Sequence, residues 1–153
     1  MINTYTALDL ETTGLDSKTD RILEIGAVRV EDGRETGRFS QLVNPRREIT
    51  EKITELTGIT GEMVKECPDI SAVLLEFLEF CGDGPILGHN ILFDFRFLKR
   101  AAVNHGYSFE RRGIDTLALC RNFMPAGEKK NLSAACRYFQ VETGRSHRAF
   151  DDA

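Results

Sequence analysis

Residues 21–43 constrain the fold more than any other stretch of this chain. Arg21–Glu31 alternates around Ile22, Ile25, Ala27 and Val28, and Asp32-Gly33 follows at once. Asp-Gly is a strong signal for a two-residue hairpin turn, where both central residues take positive φ. Arg38–Val43 resumes the strand pattern, and Asn44-Pro45 stops it. Upstream, Thr4–Leu10 is apolar-rich, and a loop from Thr13 to Asp20 joins it to the hairpin. The chain therefore opens with a three-stranded antiparallel meander.

Helical signals follow. Thr50 precedes Ile53 and Leu56, with Gly58 as a stop, and Thr60 caps a short turn that ends before Pro68. Ser71 reads as the cap of a helix over Ala72–Cys81, in which Val73, Leu74, Phe77, Leu78 and Cys81 share one face. Gly82-Asp83-Gly84-Pro85 breaks it, and Ile86-Leu87 reads as a short buried strand. A helix over Ile91–His105 is closed by Gly106, and Ile114-Asp115 forms a last short strand. Thr116–Phe123 and Leu132–Phe139 complete the helices. Strands first, then strand and helix in alternation, define a layered α/β or α+β domain. The chain stops at Asp151-Asp152-Ala153, in what reads as the first turns of a helix. The expectation is one domain over residues 1–153 that lacks its last C-terminal helix.

At 153 residues, with 41% apolar and 29% charged residues, the chain has the length and composition of one soluble globular domain. No apolar run approaches the length of about 18 residues that spans a bilayer, so no membrane partner is expected. No basic segment precedes an apolar one as in a secretory signal. The four cysteines, Cys67, Cys81, Cys120 and Cys136, are scattered, with no metal-binding spacing. Cys81 and Cys120 lie in apolar runs and read as small buried hydrophobes. Together these features point to a reducing cytoplasm. With 20 Lys and Arg against 24 Asp and Glu, the net charge of −4 argues against strongly cationic, sequence-independent DNA binding.

Three clusters carry chemistry. In Asp9-Leu10-Glu11-Thr12-Thr13-Gly14, the i, i+2 spacing sets two carboxylates on one face of a strand end. Like charges so close are unfavourable unless a cation lies between them, and a hard divalent ion takes oxygen ligands of this kind. A bare Asp-x-Glu also fits a strand running out into a polar turn. Gly88-His89-Asn90-Ile91-Leu92-Phe93-Asp94 places an acid in the first turn of a helix, where complementing the helix dipole is a sufficient reason for it. His89 and Asn90 equally fit loop residues that cap the turn. In Ser146-His147-Arg148-Ala149-Phe150-Asp151-Asp152, a helix throughout would put His147 and Asp151 on one face. With His147 on a preceding loop, Asp152 is the better inward candidate.

The order Asp-x-Glu, then Gly-His-Asn-x-x-Phe-Asp, then His-x4-Asp resembles the DEDD exonuclease superfamily in its DEDDh, or DnaQ-like, branch. That branch includes the epsilon subunit of bacterial DNA polymerase III and the exonuclease domain of PolC-type polymerases. The resemblance extends to Asn44-Pro45 with Ile49, Leu56-Thr57-Gly58-Ile59-Thr60, Met63-Val64, Pro68 and Asn131-Leu132. It implies a ribonuclease-H-like fold, a mixed five-stranded sheet of a three-stranded antiparallel meander plus two parallel strands, flanked by helices. It implies metal-binding acids at Asp9, Glu11, Asp94 and Asp152, with His147 as general base. The family spacing His-x4-Asp selects Asp152 over Asp151. Removing those four acids would leave acidic and basic residues equal in number.

The implied activity is 3′→5′ exonucleolytic hydrolysis of single-stranded DNA, releasing 5′-nucleotides, with two divalent ions, Mg²⁺ or Mn²⁺. A neutral His147 would take the proton from the attacking water. Thr12, Thr13 and Gly14 would lie beside the 3′ hydroxyl, Leu15 and Phe93 would stack or wedge against bases, and His89 and Asn90 would touch phosphate or sugar. Phe93 equally suits core packing. The basic pairs Arg46-Arg47, Lys99-Arg100, Arg111-Arg112 and Lys129-Lys130 suit either backbone contact or a solvated face. Domains of this family occur free, beside polymerases or helicases, and in CRISPR integration systems. RNA 3′ ends are the alternative substrate, and a non-catalytic nucleic-acid-binding module is the alternative class. A simple Ca²⁺ domain finds no EF-hand-like loop here.

Overall fold

The computed structural model describes residues 2–141, Ala149 and Ala153. Its strands are β1 (Tyr5–Thr12), β2 (Ile22–Glu31), β3 (Arg34–Leu42), β4 (Ile86–Gly88) and β5 (Gly113–Asp115). Its helices are α1 (Glu51–Thr57), α2 (Gly61–Val64), α3 (Ile70–Cys81), α4 (Leu92–Asn104), α5 (Thr116–Phe123) and α6 (Leu132–Phe139). The five strands form one sheet in the order β3-β2-β1-β4-β5. β1–β2 and β2–β3 are antiparallel, whereas β1–β4 and β4–β5 are parallel. This is the mixed sheet expected from the sequence.

The β2–β3 hairpin closes through Asp32 and Gly33, with φ of 50° and 74°, and pairs Glu31 with Arg34. The right-handed strand twist requires this two-residue geometry. β3 therefore begins at Arg34, four residues before the apolar pattern suggests. Arg34–Thr36 are exposed, so their pairing leaves no hydrophobic trace. β1 likewise runs on to Thr12, two residues beyond its apolar stretch.

Leu8, Leu10, Ile25 and Ala27 line the sheet face that packs against α3 and α4 through Val73, Leu74, Phe77, Phe97 and Leu98. Phe39 meets Phe77 edge to face at 5.4 Å. Leu23, Ile59 and Val64 form a second cluster beneath α1 and α2, and Cys120, Met124 and Ala135 join α5 to α6. Cys81 and Cys120 are buried, as their apolar settings require. No helix among the described residues is long and apolar enough to cross a membrane.

Helix starts follow their side-chain acceptors. Thr50, Thr60 and Asn131 cap α1, α2 and α6. At α3 the sequence reading is corrected. Asp69, not Ser71, is the cap, and its Oδ1 accepts the Ser71 N–H at 3.1 Å. A carboxylate accepts a backbone N–H more strongly than a hydroxyl, so the helix starts two residues earlier.

Gly88, at the end of β4, lies where the backbone passes close to β1. A Cβ there would stand 2.9 Å from the Leu8 carbonyl oxygen and 2.6 Å from Ile91 Cδ1. Gly88→Ala is expected to destabilise the fold by about 2 kcal/mol through overpacking, read as a lower denaturation midpoint at unchanged slope. An unchanged midpoint would show that the β4–α4 corner yields freely.

Candidate active site

Asp9 and Glu11 alternate with Leu8 and Leu10 along β1. The two leucines are buried in the core, so the two acids lie on the opposite face. Across to β2, Asp9 pairs with Gly26 and Glu11 with Glu24. On β2, Asp9 thus faces a glycine, whereas Glu11 faces a second carboxylate.

β1 outruns its other neighbour. Pairing with β4 ends at Ala7–Leu87, and β4 stops at Gly88. Beyond that point the Leu10 N–H donates to Asp94 Oδ1 at 3.1 Å. α4 starts from Ile91, which makes no side-chain cap, and Asp94 in its first turn reaches over to β1. The structure thereby joins the first two acidic motifs. Asp94 is only 2% exposed. Burial pushes its carboxyl up to about 7; the Leu10 N–H and its own backbone N–H pull it down, and the charge of Glu11 pushes it up further. A carboxyl kept protonated at such a pH by burial and a neighbouring acid favours an added cation.

The loop after β1 is built around Asp20. Its Oδ2 accepts the Asp16 N–H at 3.0 Å and its Oδ1 the Thr13 hydroxyl at 3.3 Å. Thr13 N–H donates to the Arg21 carbonyl at 2.8 Å, and Thr12 Oγ1 donates to the Gly14 carbonyl at 2.6 Å. A Cβ on Gly14 would come within 2.4 Å of the Asp20 carboxylate, so the loop needs glycine there. Leu15 stands at the tip, 87% exposed. The threonine hydroxyls thus shape the loop that presents Leu15.

His89 is held from both ring nitrogens, with Nδ1 3.0 Å from Thr116 Oγ1 and Nε2 2.7 Å from the Lys130 carbonyl oxygen. It links the start of α5 to the segment before α6. Asn90 takes φ of 68°, and its N–H donates to Asp115 Oδ1 at 2.9 Å. Phe93 is half-buried against the core and 5.0 Å from the Phe97 ring. Sequence reasoning overlooked Asp20, Glu24 and Asp115. Asp115 had a readable signal, an acid directly before a helix, and it caps α5 through the Leu117 N–H. His147, Asp151 and Asp152 lie outside the described residues. Between them, Ala149 is buried, and its N–H donates to Glu24 Oε2 at 3.1 Å.

The donors on β1 and α4 are carboxylate oxygens, the ligand type of a hard divalent ion. Among the described residues, no group of three or more His, Cys, Asp and Glu is close enough to hold a metal ion by itself. Asp9, Glu11 and Asp94 carry oxygens of that type but do not by themselves form such a group.

Comparison with known proteins gives the class. Residues 6–153 match the family model described as exonuclease, RNase_T. The chain is 40% identical over 149 residues to the PolC-type DNA polymerase III of Clostridium perfringens, covering 97% of this chain and 10% of that protein. It is 40% identical over 151 residues to the DNA polymerase III subunit epsilon of Aquifex aeolicus, covering 98% of this chain and 75% of that protein. Exonuclease X, solved in complex with 5′ overhanging duplex DNA, superimposes with a TM-score of 0.78 at 30% identity over 96% of this chain and 82% of that one. The chain belongs to this exonuclease family, and its sheet is the ribonuclease-H-like arrangement. More particularly, it belongs with the DnaQ-like exonucleases, the family of DNA polymerase III epsilon and PolC-type exonuclease domains. It spans about a tenth of the length of its PolC-type relatives.

Proposed function

We propose that this domain removes nucleotides one at a time from the 3′ end of single-stranded DNA, holding two divalent ions between Asp9, Glu11, Asp94 and Asp152. The observation that carries this is the Asp94–Leu10 hydrogen bond, which brings a third carboxylate to the strand bearing Asp9 and Glu11. Held there, divalent ions would supply the charge that makes water a nucleophile and steadies the leaving 3′ oxygen. The chain itself supplies orientation and the proton acceptor. β1 and α4 fix three carboxylates on regular elements, and His147 accepts the proton of the attacking water. The Asp20-built loop offers Thr12, Thr13, Gly14 and Leu15 to the terminal nucleotide, and exposed Leu15 can wedge against its base. Relatives named as polymerase III chains favour a replicative polymerase as the partner, with trimming of mispaired 3′ ends as the task.

The direct test is incubation of the chain with 5′-labelled single-stranded DNA and RNA of one sequence, in Mg²⁺, Mn²⁺ or EDTA. The expected result is a ladder from the DNA 3′ end that EDTA abolishes. Digestion in EDTA overturns the metal reading, and preferential digestion of RNA overturns the substrate.

Asp152, in the family spacing from His147, is the proposed ligand, and Asp151 is its rival. Under saturating Mn²⁺, Asp152→Asn is expected to lose at least about a hundredfold in hydrolysis rate, as for loss of an electrostatic contact to the reacting phosphate, while Asp151→Asn stays near wild type. The reverse pattern would reassign the ligand.

A further inference from the structure

We propose that Glu24 is a positioning residue, whose buried carboxylate anchors the Ala149 backbone to β2, between His147 and Asp152 in the sequence. The proposal rests on the roles just given to His147 and Asp152. Glu24 is 1% exposed, on a strand whose neighbouring residues Leu23 and Ile25 are fully buried hydrophobes. A glutamate is almost never buried so completely without a partner, because its charge loses hydration. One partner is the Ala149 N–H, 3.1 Å from Oε2 and 125 residues away in sequence. Ala149 is itself fully buried, and its carbonyl accepts the Ala153 N–H at 3.1 Å.

The placement gives the contact its meaning. Glu24 stands directly opposite Glu11, so the anchor point lies one strand from a proposed metal ligand. Ala149 is two residues after His147 and three before Asp152. Fixing one backbone atom bounds, by chain length alone, the reach of residues two and three positions away. A carboxylate acceptor makes a stronger bond to a backbone N–H than a neutral group does. The competing possibility is that Glu24 is a further metal ligand, since it too is a carboxylate on the same strand pair. The two differ in what matters. A ligand needs charge, whereas an anchor needs an acceptor oxygen at the right reach.

Three substitutions separate them. Glu24→Gln keeps the reach and an acceptor oxygen but removes the charge. Glu24→Asp keeps the charge and withdraws the acceptor by one methylene. Glu24→Met keeps the length and removes the acceptor. Trypsin cuts the Arg148–Ala149 bond, the one whose N–H Glu24 holds, and this readout needs no nuclease activity. Cleavage there is expected to quicken about tenfold in Glu24→Asp and Glu24→Met, and less than about threefold in Glu24→Gln, as loss of one anchoring bond raises the open population. The Mn²⁺ concentration giving half-maximal hydrolysis is expected to rise in the same order, with the KM for DNA little changed. If Glu24→Met fails to fold, the Asp and Gln variants still decide the matter. Trypsin cleavage at the wild-type rate in Glu24→Asp overturns the anchor. So does Mn²⁺ binding that fails in Glu24→Gln but survives in Glu24→Asp. A chain with no metal-dependent nuclease activity whose Arg148 bond is still opened by Glu24→Asp fails the nuclease reading and upholds the anchor.

Discussion

Asp9→Ala is expected to lower single-stranded DNA hydrolysis by at least about a thousandfold, because losing several kcal/mol of metal-borne charge stabilisation costs a factor of ten for each 1.4 kcal/mol or so. Glu11→Ala is expected to do nearly the same. Neither change touches the core, since both side chains lie on the face away from Leu8 and Leu10. Removing Glu11 also relieves its repulsion of Asp94 in the metal-free protein, so the melting temperature of that variant should stay level or rise. The two results together separate a chemical role from a structural one. Initial rates on labelled DNA at saturating Mn²⁺, alongside thermal unfolding, provide the check. Retention of a tenth of the activity by both variants would exclude the strand carboxylates from the reaction.

Asp94 supplies the second large effect, and its sign is set by burial. In the folded, metal-free chain the carboxyl holds its proton up to about pH 7, against an ordinary value of 3.8. The folded state therefore binds more protons than the unfolded chain between these values. Its contribution is full below the ordinary value and is lost as pH rises through about 7. Metal-free wild type should lose stability across that interval relative to Asp94→Asn, whose amide oxygen can still accept the Leu10 N–H. At pH 8 the variant is expected to be the more stable by about 4 kcal/mol, or roughly 8–16 °C for a chain of this size. At pH 4 the gap should close. Saturating Mn²⁺ should raise the melting temperature of wild type more than that of the variant, because only the wild type offers the carboxylate. A constant difference in melting temperature between pH 4 and pH 8 would show that Asp94 does not titrate in this range.

The functional pattern was legible where chemistry and spacing coincide locally. Asp9 and Glu11 declare themselves because a strand has a period of two, so residues two apart must share a face. Asp32-Gly33 declares the hairpin because few pairs accept positive φ twice. Asp94 was legible as an acid in a first helical turn, but not as the partner of Leu10. That bond spans 84 residues and depends on β4 stopping short of β1. The α3 start was misread for a smaller reason. Asp69 and Ser71 are both capping residues two apart, and the carboxylate is the stronger acceptor.

By itself, the sequence determined the meander, the helices and the order of the acidic motifs, since each is written in turn residues, periodicity and spacing within a few positions. Only the tertiary structure decided which polar groups meet. Asp20 builds the loop beneath Gly14, His89 ties α5 to the Lys130 backbone, and Glu24 receives the Ala149 N–H from the far end of the chain. Asp20 and Glu24 would pass in the sequence for ordinary surface polar groups, and nothing near His89 names Lys130 as its partner. Glu24 in particular interrupts a run of buried hydrophobes with no local reason. A buried carboxylate is tolerated only where the folded chain delivers a donor to it, and the identity of that donor is a property of the whole fold.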